Sequence, residues 1–395
     1  MKDKYSILST VSMYHALNDG AISVVPLLFP IFKDIYNLNY TQIGLITSIS
    51  LFIHLITQLY IGRFSDGKNF RTLLSFGILL ISISLFVLVK TEDFFTLLIF
   101  LIFLRISASF FHPIGIGWIS RTFKKERLDW AMGIQSGSAD LGVFLALITT
   151  LYLTEIKGWQ FPLYLWAFTA ALVVLIGVFI TRSVDEKFLT VKKTYKKQKI
   201  SEKIQEGFLL LKKIKLLIPS FIISGSAWGV IVTYLPLFLD KKTNLPLEYI
   251  GVIAAIWVGI GCIISFFYSR IQSYIGRKNL IMISYFITGV ACLVLSVNIN
   301  VFIIILLMVL LGISVFLTYP ALASFISEVT EESSEGGTFG IVFTLQLGGG
   351  TIVLFLSGFL SDIYGIWMPF VVLGVPSLLL SMLLLFYRKN QFAIR

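Results

Sequence analysis

Asn37-Leu38-Asn39-Tyr40-Thr41-Gln42-Ile43-Gly44-Leu45-Ile46 lies over Asn244-Leu245-Pro246-Leu247-Glu248-Tyr249-Ile250-Gly251-Val252-Ile253 when each residue is read against the one 207 positions later. The same register runs from about Asn37 to Pro162. Ile49, Ile53 and Ile56 meet Ile256, Ile260 and Ile263, and Arg63 meets Arg270. Further on, Pro113, Gly133, Gly142, Gly158 and Pro162 meet Pro320, Gly340, Gly349, Gly365 and Pro369. Isoleucine matches come cheaply in so apolar a chain, whereas aligned Gly, Pro, Arg and Asn do not. Duplication in a strongly apolar chain points to a transporter built of two like halves.

The 395 residues are 57% hydrophobic and 13% charged, with net charge +11 and mean hydropathy +0.89. Soluble domains carry about 25% charged residues. The charges are scarce because long stretches have none, each about as long as the ~20 residues a membrane helix needs. Twelve spans are predicted: 6–32, 41–61, 72–90, 94–118, 130–154, 161–181, 216–239, 249–268, 280–297, 301–327, 338–360 and 367–387. The expected fold is an all-α membrane protein of two pseudo-symmetric six-helix bundles, 1–182 and 216–395, joined by a basic cytoplasmic linker, 183–215.

Lys and Arg set the orientation. With the N-terminus in the cytoplasm, 26 of 32 fall on the inner side and only Arg105 falls inside a span. Both termini are then cytoplasmic, and the chain is expected to be a multi-pass protein of the cell membrane. The positive charge is a topology signal, not a nucleic-acid footprint. His15, Asn18 and Asp19 in the first apolar run argue against a cleavable signal. Cys262 and Cys292 fall in spans and are expected as free thiols. The linker's lysines, with Ile204, Phe208 and Leu209 among them, fit either an amphipathic helix on anionic inner-leaflet lipids or a solvated strand of charge.

The loop after span 2, Gly62-Arg63-Phe64-Ser65-Asp66-Gly67-Lys68-Asn69-Phe70-Arg71, has its mate after span 8, Ser269-Arg270-Ile271-Gln272-Ser273-Tyr274-Ile275-Gly276-Arg277-Lys278. This pair resembles the loop signature of the major facilitator superfamily: a glycine, an aspartate four later, then glycine and basic residues. The first copy keeps Gly62, Asp66 and Arg71; the second keeps Gly276, Arg277 and Lys278, with Arg270 aligned to Arg63. The resemblance implies a transporter that works by alternating access, with these loops governing the switch. A narrower resemblance, to the fosmidomycin-resistance branch of drug efflux proteins, rests on His15-Ala16-Leu17-Asn18-Asp19, Pro26-Leu27-Leu28, Thr41-Gln42-Ile43-Gly44 and Phe111-His112-Pro113. Ile114 and Asp140 depart from that branch, which tends to have glutamate and asparagine there.

A charge at mid-span costs roughly 2.5–3.5 kcal/mol on insertion scales. Asp19, Arg105 and Asp140 nevertheless lie near mid-span. Each shares a helix face with polar or small residues: His15, Asn18 and Ser23; Ser109 and His112; Gly133, Ser136 and Gly137. In the family the resemblance names, spans 1, 4 and 5 sit together, so Arg105 is expected to pair with one or both carboxylates. One arginine against two carboxylates leaves one of them open to protonation, the requirement for a proton-coupling site. His15, Asn18 and His112 are candidates for the same site. The second half offers Tyr319 and Gln346 instead, as a weakly polar surface for solute.

The loops after spans 4 and 10 carry opposite charge in register: Arg121 over Glu328, Lys124 over Glu331, Lys125 over Glu332. In the superfamily these tips meet when the inner side closes, which would make the pairs an electrostatic latch. No His-Glu-x-x-His, Cys-x-x-Cys, Walker loop or nucleophile elbow occurs, so neither a metal, a cofactor nor an enzyme is expected. The expected activity is proton-coupled export of a small organic solute or drug by a monomer. Import of an organic anion bound by Arg105 is the alternative within transport, and a membrane-embedded enzyme the alternative outside it.

Overall fold

The computed structural model describes residues 2–190, 211–212, 214–297, 300–329 and 335–386, with side chains at all of these except 125, 216, 326–329 and 335–341. No strand occurs among the described residues. Hydrocarbon offers backbone groups no partner, so each crossing segment must satisfy itself as a helix. The first half comprises α1 (Lys2–Leu27), α2 (Phe29–Ile35), α3 (Tyr40–Phe64), α4 (Phe70–Leu88), α5 (Phe94–Ala108), α6 (Gly117–Thr122), α7 (Lys125–Lys157) and α8 (Gln160–Ile180). The second comprises α9 (Ile218–Lys242), α10 (Leu247–Phe266), α11 (Tyr268–Ile275), α12 (Arg277–Val297), α13 (Val301–Val329), α14 (Glu335–Tyr364) and α15 (Met368–Phe386).

Eleven helical segments are long and apolar enough to cross a membrane, and α1 with α2, bent by 42°, makes a twelfth. Pro30 at the second position of α2 explains the break, since its ring cannot continue the helix before it. The predicted linker lies mostly outside the described residues. At its start the backbone N–H of Phe70 donates to the Leu189 carbonyl at 3.0 Å.

Helix ends follow local chemistry. Asn69 caps α4 by accepting from the Thr72 N–H, and Asp93 forms a reciprocal capping box with Thr96 at α5. The register-mated Gly158 and Gly365 follow α7 and α14 with φ of 85° and 117°, a conformation that glycine adopts without strain.

The chain divides into two compact units. The first holds Met1–Leu38, Ile49–Tyr195 and Leu245–Ala255; the second holds Asn39–Ser48, Lys196–Asn244 and Ile256–Arg395. In the first unit α1 lies along α7, and α4 along α8. The close approach of α1 to α7 depends on Gly142, where an added Cβ would run into the Ala16 carbonyl oxygen. In the second unit α9 lies along α14 in the equivalent pairing. There Gly225 faces the Gln346 carbonyl, and Gly349 faces Ile222.

The segments assigned across the midpoint of the sequence repeat one another as well. A Cβ on Gly44 would stand 3.1 Å from the Leu354 carbonyl oxygen, and one on Gly251 would stand 2.5 Å from that of Leu147. Both glycines and both leucines are mates in the 207 register.

Candidate functional site

His15, Asn18 and His112 converge on Asp19 in the first unit. His15 and Asp19 are one turn apart on α1, with His15 Nε2 3.4 Å from Asp19 Oδ2. Asp19 Oδ1 accepts from the Asn18 amide at 2.8 Å and lies 3.9 Å from His112 Nε2. His15 is buried, its Nδ1 3.0 Å from the backbone carbonyl of Gln135 on α7. The Phe111 ring stacks on the His15 imidazole at 4.2 Å, and His112 meets it edge-on at 5.3 Å.

The turn after α5 is what brings Phe111 and His112 here. His112–Ile116 is π-helical, with Pro113 at its start. Gly115 leaves room for Phe111, because a Cβ there would lie 2.8 Å from the ring. Proline alone does not cause the π turn: its mate Pro320 lies inside the α-helical run of α13. That second copy has Leu322 and Ser324 where the first has Gly115 and Gly117.

Arg105 does not pair as expected. Among the described residues no carboxylate stands within 4.0 Å of its guanidinium. The Asp19 oxygens face His15, His112 and Asn18 instead. Arg105 holds its place through its backbone, whose carbonyl accepts from His54 Nδ1 at 2.9 Å. Its Nε is buried without a hydrogen-bond partner.

Asp140 is half-buried on α7, two residues before the glycine at which α7 meets α1. Beside it Ser136 is exposed, and a Cβ added at Gly133 or Gly137 would meet nothing within 4 Å. In the second unit Tyr319 is exposed and its hydroxyl lies 3.4 Å from Gln346 Oε1. Trp228, Trp257 and Phe316 form a three-ring cluster with centroids 4.9–6.0 Å apart.

Of the residues expected to form the switch, Asp66 meets Arg121 at 3.8 Å, and Arg121 also lies over the Phe70 ring. Arg71 donates to the Thr181 carbonyl, and Gly62 stands against Pro113. In the second copy Arg277 donates to Ser324, Gly276 takes a φ of 75° after α11, and Arg270 is exposed. Lys124 is exposed. Glu331 and Glu332 of the expected latch lie outside the described residues, as do the side chains of Lys125 and Glu328.

Two like sets of membrane-spanning helices, a buried polar cluster in one of them and a charged pair at the loop after α3 define a polytopic membrane transporter. The profile of the Major Facilitator Superfamily matches residues 11–273 and 217–393, and the chain belongs to that family. The proton-coupled antiporter flippase LtaA of Staphylococcus aureus is 24% identical over 348 residues, 84% of each chain. YfnC of Bacillus subtilis, an uncharacterised MFS-type transporter, is 26% identical over 182 residues, 45% of this chain and 43% of that one. Among solved structures, a variant of the nucleoside transporter NupG matches with TM-score 0.80 at 15% identity, covering 96% of this chain and 99% of the other. A bacterial homologue of the human lysosomal transporter Spinster matches with TM-score 0.75 at 13% identity, covering 98% and 96%. These structures share the fold. The relatives are transporters, not enzymes.

Proposed function

We propose that the chain exports a small organic solute or drug in exchange for protons, by alternating access, from the cell membrane with both termini in the cytoplasm. The observation that carries this reading is the cluster on Asp19: a mid-span carboxylate facing two imidazoles, with no guanidinium within ion-pair distance. Such a cluster has a use for a proton that a carboxylate fully paired with a guanidinium lacks. The match to LtaA, a proton-coupled antiporter flippase, over most of both chains supports the same coupling. Asn18 and Asp140 belong to this centre, while Tyr319, Gln346 and the Trp228 cluster supply an uncharged, aromatic surface for solute.

The functional division is two six-helix bundles, 1–182 and 216–395. The basic linker 183–215 rests on anionic inner-leaflet lipid, and the protein acts as a monomer. Asp66, Arg71 and Arg121 work the conformational switch, with Gly62, Arg270, Gly276 and Arg277 shaping its loops.

A second reading, import of a small organic anion, is favoured by the Arg105 guanidinium, which has no carboxylate partner within 4.0 Å and is free to take one from a ligand. Flux in proteoliposomes under imposed proton gradients decides between them. Export is expected to accelerate when the trans side is acidified. Uptake of an anion that ignores the gradient and fails with Arg105→Met would select the second reading.

A further inference from the structure

We infer that the coupling proton sits on Nε2 of His15, with Asp19 as its fixed counter-charge. This rests on the proton-coupled reading above and names the atom that holds the ion.

The tautomer decides it. A backbone carbonyl only accepts, so the 3.0 Å contact with Gln135 requires a hydrogen on His15 Nδ1. A neutral ring then presents a bare lone pair at Nε2. That atom is buried and has no hydrogen-bond partner, and the nearest charged group is Asp19 Oδ2 at 3.4 Å. A lone pair facing a carboxylate is repelled by it; a proton on Nε2 turns the repulsion into an attractive charged pair. The Phe111 face stacked on the same ring adds a further preference for the cation.

Asp19 is suited to remain the anion. Its Oδ1 already accepts from the Asn18 amide, and of the two groups that share the proton the imidazole is the stronger base. The other titratable groups on the elements packed here are Arg105 on α5, His112 on the π turn, His54 on α3 and Asp140 on α7. His112 faces the second Asp19 oxygen at 3.9 Å and has the more exposed side chain of the two imidazoles, which makes it the group through which water reaches the pair.

The chain has three histidines, so ring-15N-labelled protein gives a spectrum that His54→Asn and His112→Asn variants assign. In lipid nanodiscs at neutral pH, His15 is expected to show two protonated ring nitrogens. In Asp19→Asn it is expected to lose the Nε2 proton and keep that on Nδ1. His15→Gln is expected to abolish the dependence of flux on the proton gradient while its thermal unfolding stays cooperative. A neutral His15 throughout the pH range where flux follows the gradient would overturn the assignment, as would an imidazolium unchanged in Asp19→Asn. Flux indifferent to the gradient, with His15 doubly protonated, would instead remove proton coupling from the function and leave the proton's location standing.

Discussion

Gly142 on α7 stands so close to Ala16 on α1 that a single added carbon would meet the Ala16 carbonyl oxygen. That crossing sets the spacing of the helices that carry Asp19 and Gln135. Gly142→Ala is therefore expected to destabilise the protein by about 1–3 kcal/mol, the usual scale of overpacking. Gly137→Ala, five residues earlier and facing open space, is expected to be neutral or stabilising by up to about 1 kcal/mol, because alanine is the better helix former. Thermal unfolding in detergent compares the two, and equal effects would mean that the α1–α7 contact does not limit stability.

Asp19→Asn is expected to abolish gradient-driven accumulation in proteoliposomes while leaving the circular dichroism and elution profile unchanged. Accumulation at the parent rate would make Asp19 a structural residue.

Arg105→Lys is expected to lose most of the transport rate. A planar fork can grip a carboxylate or phosphate with two parallel bonds, whereas an ammonium at the same place cannot. Because Arg105 has no carboxylate partner within 4.0 Å, the loss should appear in solute binding rather than in thermal stability. The check is calorimetric binding beside a melting curve, and a variant that binds normally would reduce the requirement to charge.

Asp66→Asn should separate rate from stability. The contact with Arg121 is a partly exposed pair at 3.8 Å, and such pairs contribute about 0–1 kcal/mol. Melting should scarcely shift, while the turnover rate falls. Equal rates in parent and variant would take this pair out of the switch.

Asp93 gives a pH expectation with a definite sign. Hydrogen bonds from the backbone and side chain of Thr96 hold its carboxyl below the usual carboxylate range. A depressed value in the folded state means that the cap is strongest above the unfolded-state value and is lost as pH falls through the folded one. Hydrogen exchange at the Thr96 amide should accelerate, beyond the intrinsic pH trend, only under such acidic conditions. Protection that persists into strong acid would show that the capping box does not need the charge.

The fold was legible in the sequence because the bilayer enforces a simple rule: runs free of charge become helices, and the charged breaks between them become turns. The bend between α1 and α2 follows from Pro30, which is visible in the chain. The site was legible only in part. Helical spacing placed His15, Asn18 and Asp19 on one side of α1, whereas the pairing of Asp19 with Arg105 came from the resemblance, which sets spans 1, 4 and 5 together. Adjacency of spans does not say which partner a carboxylate takes, and Asp19 faces His15 on its own helix and His112 at the π turn. The Gln135 carbonyl was invisible for another reason. It is a backbone group, reached because Ser136, Gly137 and Ala139 leave α7 thinly covered, and no side-chain motif records that.

The π turn at His112–Ile116 also bears on ancestry. The two halves keep one residue-for-residue register across this point, yet a π turn uses more residues per revolution than the α-helix around Pro320. Symmetry has been broken by rewinding, with no insertion or deletion to mark the event. A role transferred from one copy to the other by counting residues is therefore rotated about the helix axis beyond position 112. Ancestral reconstruction would have to look for the heritable difference in substitutions such as glycine at 115, where a Cβ would crowd the Phe111 ring, and not in a change of length.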